Sequence, residues 1–205
     1  MTGTKTTAAG ARVRRGLVGV WLAAASVAPL AQTPGGTGTF AAPRSATGPA
    51  GAVATIRTSH LTVQAAASGA PVAPGGRVSL AIEVTPRRGM HVYAPGKHDY
   101  QIIRFTLDTR PWLASQPLKY PPSEIYHFVP LDERVETYIK PFTLEQELTI
   151  LATPEARKAL AGQKAVTVSG TLEYQACDDK ICYAPAKVPL TFTVDLAAAA
   201  PRPGR

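Results

Sequence analysis

Two cysteines, Cys177 and Cys182, are the only cysteines of the 205-residue sequence and its most specific chemical groups. A pair this close can form a structural disulfide, form a disulfide that exchanges with other thiols, or bind a metal ion. Closing a loop of about six residues stabilises a fold by only about 2 kcal/mol, and a chain that can bury a sizeable core does not depend on that amount. Exchange needs a sulfur that a second thiol can reach. The spacing alone leaves the structural and the exchanging disulfide equally open, with metal binding less favoured.

The other chemically capable side chains match no catalytic or metal-binding motif. No Ser/His/Asp signature, phosphate-binding loop or dinucleotide fingerprint is present. The acidic residues Asp132, Glu133 and Glu136 lie in a polar loop and are interpreted as a solvated face. We expect no bound cofactor and no metal site, because compact spacings such as Cys-x2-Cys or His-x3-His are lacking among the thiols and the histidines, which are His60, His91, His98 and His127.

The N-terminus has the three-part order of a secretory signal peptide. Four basic residues precede an apolar run from Leu17 to Val27, and small residues continue to Ala31. The run is far shorter than the roughly 20 residues of a membrane-spanning helix. We therefore predict a signal peptide over 1–31, cleaved between Ala28 and Ala31. The mature protein should be periplasmic or otherwise exported, without stable membrane insertion after signal removal.

The formal net charge of +8 does not indicate a nucleic-acid partner. Seven of the 22 basic residues lie in the predicted signal peptide, linker and tail, which leaves 15 basic against 14 acidic residues in the body. A domain with a net charge near +1 lacks the basic surface that phosphate binding requires. Nucleic-acid binding is therefore not expected.

Alternating apolar residues predict an all-β fold. The clearest runs are Val78–Val84, Leu144–Ile150, Val166–Tyr174 and Val188–Leu196, and shorter candidates are Leu61–Ala65, His91–Tyr93, Ile103–Leu107 and Thr137–Lys140. One short helix is predicted at Thr153–Leu160, where Thr153 can cap and Gly162 can terminate it. Seven or eight short strands with one helix predict an immunoglobulin-like antiparallel β-sandwich.

Composition divides the rest of the chain around this sandwich. Residues 32–55 are rich in Gly, Pro and Ala, which is typical of a flexible linker. The β-sandwich is predicted over 56–196, and residues 197–205 are predicted to be a disordered tail.

The cysteine segment lies between two of the clearest strands, so it is expected at the end of a β-hairpin. An exported chain with two cysteines has one possible intrachain disulfide, and facing residues of a hairpin are close enough to form it. Strict alternation, however, places Cys177 on the face opposite Tyr174, while Cys182 keeps the phase of Val188. We therefore expect a bulge or irregular turn within 175–185.

The same segment contains Tyr-Gln-Ala-Cys at 174–177, a short acidic insert, Cys-Tyr-Ala-Pro at 182–185 and Val-Pro-Leu at 188–190. It resembles the N-terminal periplasmic domain of the thiol:disulfide interchange protein DsbD family. Upstream, the stretch 89–93 is similar to the family's glycine-plus-aromatic segment beside the redox pair. The resemblance covers roughly residues 57–196. It implies an immunoglobulin-like fold and thiol–disulfide chemistry.

The resemblance also implies roles for individual residues. Cys182 would form mixed disulfides with partner proteins, and Cys177 would resolve them. The family's shielding cap loop carries Phe-Tyr-Gly, which is not matched here; the corresponding stretch, about 126–133, offers Phe128 as the shield. Other aromatic candidates to pack around the disulfide, or to be ordinary edge residues of the sandwich, are Tyr93, Tyr126, Tyr174 and Tyr183.

Partners follow from the same resemblance. Full-length relatives continue into a membrane domain and a thioredoxin-like domain, neither of which has a counterpart in these 205 residues. The expected partners are thioredoxin-fold periplasmic proteins and a separate membrane electron donor.

Two functional hypotheses result. The first is an exported protein thiol–disulfide oxidoreductase, an electron relay or protein-disulfide reductase component that works through Cys177 and Cys182. The second is an exported immunoglobulin-like interaction module with an inert disulfide. A reduction potential below about −300 mV would indicate the second.

Overall fold

The computed structural model describes residues 53–129 and 132–197. The predicted signal peptide, most of the predicted linker and all but one residue of the predicted tail lie outside these ranges. Two boundaries differ from the sequence-based prediction. The first strand begins at Ala54, inside the predicted linker, and Ala197 of the predicted tail donates a backbone hydrogen bond of 3.0 Å to the carbonyl of Val72.

The described residues form twelve strands and one helix. In chain order these are β1 (Ala54–Arg57), β2 (Leu61–Ala67), β3 (Arg77–Pro86), β4 (His91–Tyr93), β5 (Arg104–Leu107), β6 (Leu113–Ser115), β7 (Glu124–Phe128), β8 (Glu133–Tyr138), β9 (Phe142–Ile150), α1 (Pro154–Leu160), β10 (Ala165–Tyr174), β11 (Ala176–Cys177) and β12 (Ala186–Asp195). No helix among them is long and apolar enough to span a membrane.

Two antiparallel sheets enclose the hydrophobic core. The larger has the order β1-β2-β3-β9-β6, and the smaller has the order β12-β10-β5. Alternate residues of their strands are buried. In β3 every second residue from Val78 to Pro86 is buried, and in β9 every second residue from Phe142 to Ile150. The buried side chains of both sheets form one continuous core. This is the predicted immunoglobulin-like β-sandwich, because period-2 burial on two facing sheets produces that architecture.

The predicted helix is also confirmed. The Thr153 side chain accepts a 3.2 Å hydrogen bond from the backbone N–H of Ala156, which caps the first turn. After the helix, Gly162 adopts a φ of +75°, a conformation that favours glycine.

A third sheet, of order β11-β4-β8-β7, carries the cysteines. Sequence patterning missed β1, β6, β7 and β11, which are short or half-exposed and therefore show little apolar alternation. It also placed the strand at 137–140 too late, since β8 begins at Glu133 and ends at Tyr138. These omissions matter because three of the four strands of this sheet were missed or misplaced.

Candidate functional site

The cysteine segment begins where the chain changes sheets. β10 pairs with β12 up to Tyr174, opposite Ala186, and ends there. After Gln175 the chain joins the third sheet, where Cys177 pairs with His91 of β4. The irregularity expected within 175–185 is therefore this transfer between sheets, which explains why Cys177 departs from the face predicted by β10.

Asp178 shapes the loop between the two cysteines. Its Oδ1 accepts hydrogen bonds of 2.8 Å from the backbone N–H groups of Lys180 and Ile181, and its Oδ2 accepts one of 2.9 Å from the hydroxyl of Tyr183. These hydrogen bonds, led by that from Ile181, hold the pKa of Asp178 below its ordinary value. The loop closes further because Tyr183 donates its backbone N–H to the carbonyl of Ala176 at 2.9 Å. A charged Asp178 thus fixes the turn that presents Cys182.

Cys177 and Cys182 are joined by a disulfide, with their Cα atoms 4.0 Å apart. The two residues differ sharply in exposure, since Cys177 is 1% exposed and Cys182 lies on the surface. Thiol–disulfide exchange proceeds by attack of a thiolate on an accessible sulfur. A second protein can therefore approach the bond from the side of Cys182.

Tyr93 of β4 contacts both sulfurs. Its hydroxyl lies 3.3 Å from the Sγ of Cys177 and 3.3 Å from the Sγ of Cys182. Neither sulfur of a disulfide carries a proton, so the hydroxyl is the donor in both contacts. Burial, with smaller contributions from Tyr100, Glu133 and Tyr126, raises the pKa of Tyr93 to about 12. The hydroxyl therefore keeps its proton at neutral pH. It can donate a hydrogen bond to a sulfur that gains negative charge.

A second tyrosine holds Tyr93 in place. The ring of Tyr100 stacks on that of Tyr93, with centroids 4.3 Å apart and planes 5° apart. The hydroxyl of Tyr100 donates a 2.6 Å hydrogen bond to Glu133 at the start of β8. The sequence assigned Glu133 to a solvated face, and the structure corrects this, because the half-buried carboxylate anchors the aromatic stack beside the disulfide.

The disulfide borders a pocket of about 200 Å³. One wall comes from the hairpin of β7 and β8, where Tyr126 stacks on His91 with ring centroids 4.3 Å apart. Phe128, the candidate shield, ends β7 and lines this pocket. The pocket is lined by His91, Tyr93, Tyr100, Tyr126, Phe128, Glu133, Val135, Cys177, Asp178, Lys180, Ile181 and Cys182.

The other two candidate tyrosines lie outside the pocket lining. Tyr174 is 1% exposed within the main core, and its hydroxyl is 2.9 Å from the Oγ1 of Thr58. Tyr183 follows Cys182 in the chain; its hydroxyl bonds to Asp178, and its ring packs against His60 at a centroid distance of 4.5 Å. Their hydroxyls bond to Thr58 and to Asp178 and not to a sulfur.

Sequence reasoning missed the roles of Tyr100 and Glu133, which are distant in sequence from the cysteines, and placed His91 in a short candidate strand without giving it a role. A clue was available for Tyr100, because Tyr93 and Tyr100 flank a Pro-Gly turn. Within the described residues, no group of three or more His, Cys, Asp or Glu side chains is arranged to hold a metal ion.

The family model for the N-terminal domain of thiol:disulfide interchange protein DsbD matches residues 58–193. The chain belongs to this family. The match includes both cysteines, the third sheet and all strands of the sandwich except β1 and the last two residues of β12.

The protein is also similar in structure to the N-terminal periplasmic domain of ScsB from Proteus mirabilis, with a TM-score of 0.46 and 16% sequence identity. The similarity covers 71% of this chain and 51% of the ScsB chain, so this DsbD-type chain corresponds to about half of that domain's length. No curated protein sequence matches the chain.

Proposed function

We propose that this protein is an exported thiol–disulfide exchange domain that passes electrons between proteins through Cys177 and Cys182. The observation that carries the proposal is the unequal exposure of the two sulfurs in a disulfide that borders a pocket. A structural disulfide gains nothing from one accessible sulfur, whereas exchange requires it. Membership in the DsbD N-terminal family supports the same chemistry.

The first step is attack of a partner thiolate on the Sγ of Cys182. A bond forms between the partner sulfur and Cys182, the bond between Cys182 and Cys177 breaks, and its electron pair remains on Cys177 as a thiolate. A second partner thiol then attacks the mixed disulfide. The partner leaves oxidised, and Cys177 and Cys182 are left reduced.

Tyr93 assists this step by donating its hydroxyl hydrogen bond to the sulfur that gains charge. A hydrogen bond to a charged group contributes more than one between neutral groups, about 1.5–3 kcal/mol. Tyr93 already touches Cys177 before the reaction begins, so little reorganisation is needed when the thiolate forms.

The proposed partners are thioredoxin-fold periplasmic proteins, with a separate membrane protein as the electron donor. An exposed Cys182 beside the apolar side chains of Ile181 and Phe128 suits a partner whose reactive cysteine lies on a flat apolar surface. The proposal includes export by the signal peptide at 1–31. The linker, which ends before β1, and the tail, which begins after Ala197, take no part in the chemistry.

The test is a matched pair of single-cysteine variants, Cys177→Ser and Cys182→Ser. The remaining thiol is converted to its mixed disulfide with thionitrobenzoate and mixed with a thioredoxin-fold protein that carries one reactive cysteine. We expect Cys177→Ser to release thionitrobenzoate and form an intermolecular disulfide, and Cys182→Ser to react far more slowly because Cys177 is buried. Equal rates for the two variants would contradict the assigned roles. A reduction potential below about −300 mV would instead identify an inert structural bond.

A further inference from the structure

His91 lies directly across from Cys177 in the pairing of β4 with β11. Side chains that face each other in an antiparallel pair project to the same side, with Cβ atoms roughly 4.5–5.5 Å apart. Both residues line the pocket, and His91 is 4% exposed. Among the described residues that line the pocket, His91 is the one imidazole, the side chain whose charge changes most readily near neutral pH.

Aromatic contacts hold the His91 ring in this position. One face stacks on Tyr126 with a centroid distance of 4.3 Å, and Tyr93 meets the ring at 5.7 Å with the planes 83° apart. These contacts come from β7 and from β4 itself, and neither is made by a cysteine. We therefore expect the ring to remain beside Cys177 after the disulfide is broken.

While the disulfide is intact, the nearby charges offset only part of the effect of burial on the pKa of His91. Burial lowers the pKa of His91, and Asp178, which follows Cys177, counteracts this. The other titratable groups of the pocket are Glu133 on β8, Lys180 in the cysteine loop and the tyrosines Tyr93, Tyr100 and Tyr126. A neutral disulfide adds no charge to this set, but a thiolate at Cys177 would add a negative charge facing the imidazole.

We infer that the imidazole of His91 takes up a proton when the disulfide is reduced, so that the reduced protein holds Cys177 as a thiolate beside an imidazolium. The inference rests on the proposed exchange function and assigns a positioning residue to it. A partner dithiol supplies two electrons and two protons and becomes a disulfide. One proton goes to the thiol of Cys182, the other goes to His91, and Cys177 keeps the electron pair of the broken bond. In other proteins, too, a cationic side chain next to a cysteine stabilises the thiolate and lowers the pKa of the thiol.

The experiment uses Cys182→Ser, in which Cys177 is the only thiol of the chain. The thiolate of Cys177 is titrated by its ultraviolet absorbance in this background and after adding His91→Gln or His91→Phe. His91→Phe keeps an aromatic ring against Tyr126 but cannot take up a proton. We expect Cys177 to titrate below the ordinary cysteine pKa of about 8.5 when His91 is present, and about one unit higher in both His91 variants, a tenfold change in the thiolate-to-thiol ratio.

The control is His127→Gln, which removes an imidazole that pairs with Asp132 at 2.7 Å outside the pocket lining. We expect it to leave the Cys177 titration unchanged. A Cys177 titration that is the same with and without His91 would overturn the inference, whereas trapping of a partner by Cys177→Ser would still uphold the exchange function.

A second measurement needs no substitution. Nuclear magnetic resonance of the His91 ring in the unmodified protein reports the pKa of His91 in the oxidised and in the reduced state. The inference requires a higher pKa in the reduced state, because a thiolate then faces the ring. Equal values in the two states would refute it even if the substituted chains failed to fold.

Discussion

The hydroxyl of Tyr93 lies 3.3 Å from the buried sulfur of Cys177, although 84 residues separate the two in the chain. β4 and β11 create this contact by pairing Cys177 with His91, the residue two before Tyr93. The hydroxyl is also the donor for Cys182 at 3.3 Å. One tyrosine therefore serves the attacked sulfur and the leaving sulfur of the proposed exchange.

Replacing Tyr93 by Phe should slow exchange at Cys182 by roughly tenfold to a hundredfold, the range that corresponds to about 1.5–3 kcal/mol for a hydrogen bond to a charged group. The ring would still stack on Tyr100, so the fold should persist. The rate of disulfide reduction by a thioredoxin-fold dithiol measures the effect. Tyr138→Phe is the matched control, because it removes a buried hydroxyl that bonds to the Pro121 carbonyl outside the pocket lining. Similar slowing in both variants would show that Tyr93 acts only through stability.

Truncating Phe128 to Ala should increase the rate at which a small thiol reduces the disulfide several-fold. Phe128 lines the pocket beside Cys182, and removing its ring widens the approach to sulfur. The measurement is the second-order rate with dithiothreitol at constant pH. Val129→Ala, at the next position and 72% exposed, is the control and should leave the rate unchanged. An unchanged rate in Phe128→Ala would mean that Phe128 does not shield the bond.

Acid should reduce the stability that the charged carboxylate of Asp178 gives to the cysteine loop. The pKa of Asp178 is lowered in the folded protein by the bonds from Ile181, Lys180 and Tyr183. A group with a depressed folded pKa contributes stability above its unfolded pKa, about 3.9, and that contribution is lost as the pH falls through the folded pKa. The stability difference between the unmodified protein and Asp178→Ala should therefore be largest near neutral pH and shrink below about pH 4.

Thermal unfolding at a series of pH values measures this difference. Asp179→Ala removes the neighbouring exposed carboxylate and is the control. A difference between Asp178→Ala and the unmodified protein that stays constant from pH 7 to pH 3 would contradict the role assigned to the charged carboxylate.

A side chain at Gly170 should destabilise the fold. It pairs with Leu107 of β5 and Leu190 of β12, and a Cβ there would lie 2.5 Å from Cζ of Phe105 and 2.6 Å from the Thr106 carbonyl oxygen. Overpacking of this kind costs about 1–3 kcal/mol. Urea denaturation tests this. We expect a lower urea midpoint for Gly170→Ala than for Thr171→Ala, which changes the next, less buried position. Equal midpoints for the two variants would contradict it.

The sequence by itself determined the sandwich. Apolar alternation in the stretches that became β3, β9, β10 and β12 specifies which face of each strand is buried, because successive side chains of a strand point to opposite sides. Local chemistry likewise determined the capped helix at Thr153, and a chain with two cysteines allowed a single intrachain disulfide.

Only the tertiary structure decided what surrounds that disulfide. The placement of His91 and Tyr93 beside Cys177 depends on β11, a two-residue strand that does not continue the alternation of β10. A strand this short shows no alternating pattern of apolar residues in the sequence. The hydrogen bond from Tyr100 to Glu133 was equally hidden, since no repeating pattern in the sequence marks a contact between residues far apart in the chain. The unequal exposure of the two sulfurs arises in the same way, because burial is decided by which strands pack over Cys177 and not by its neighbours in the chain.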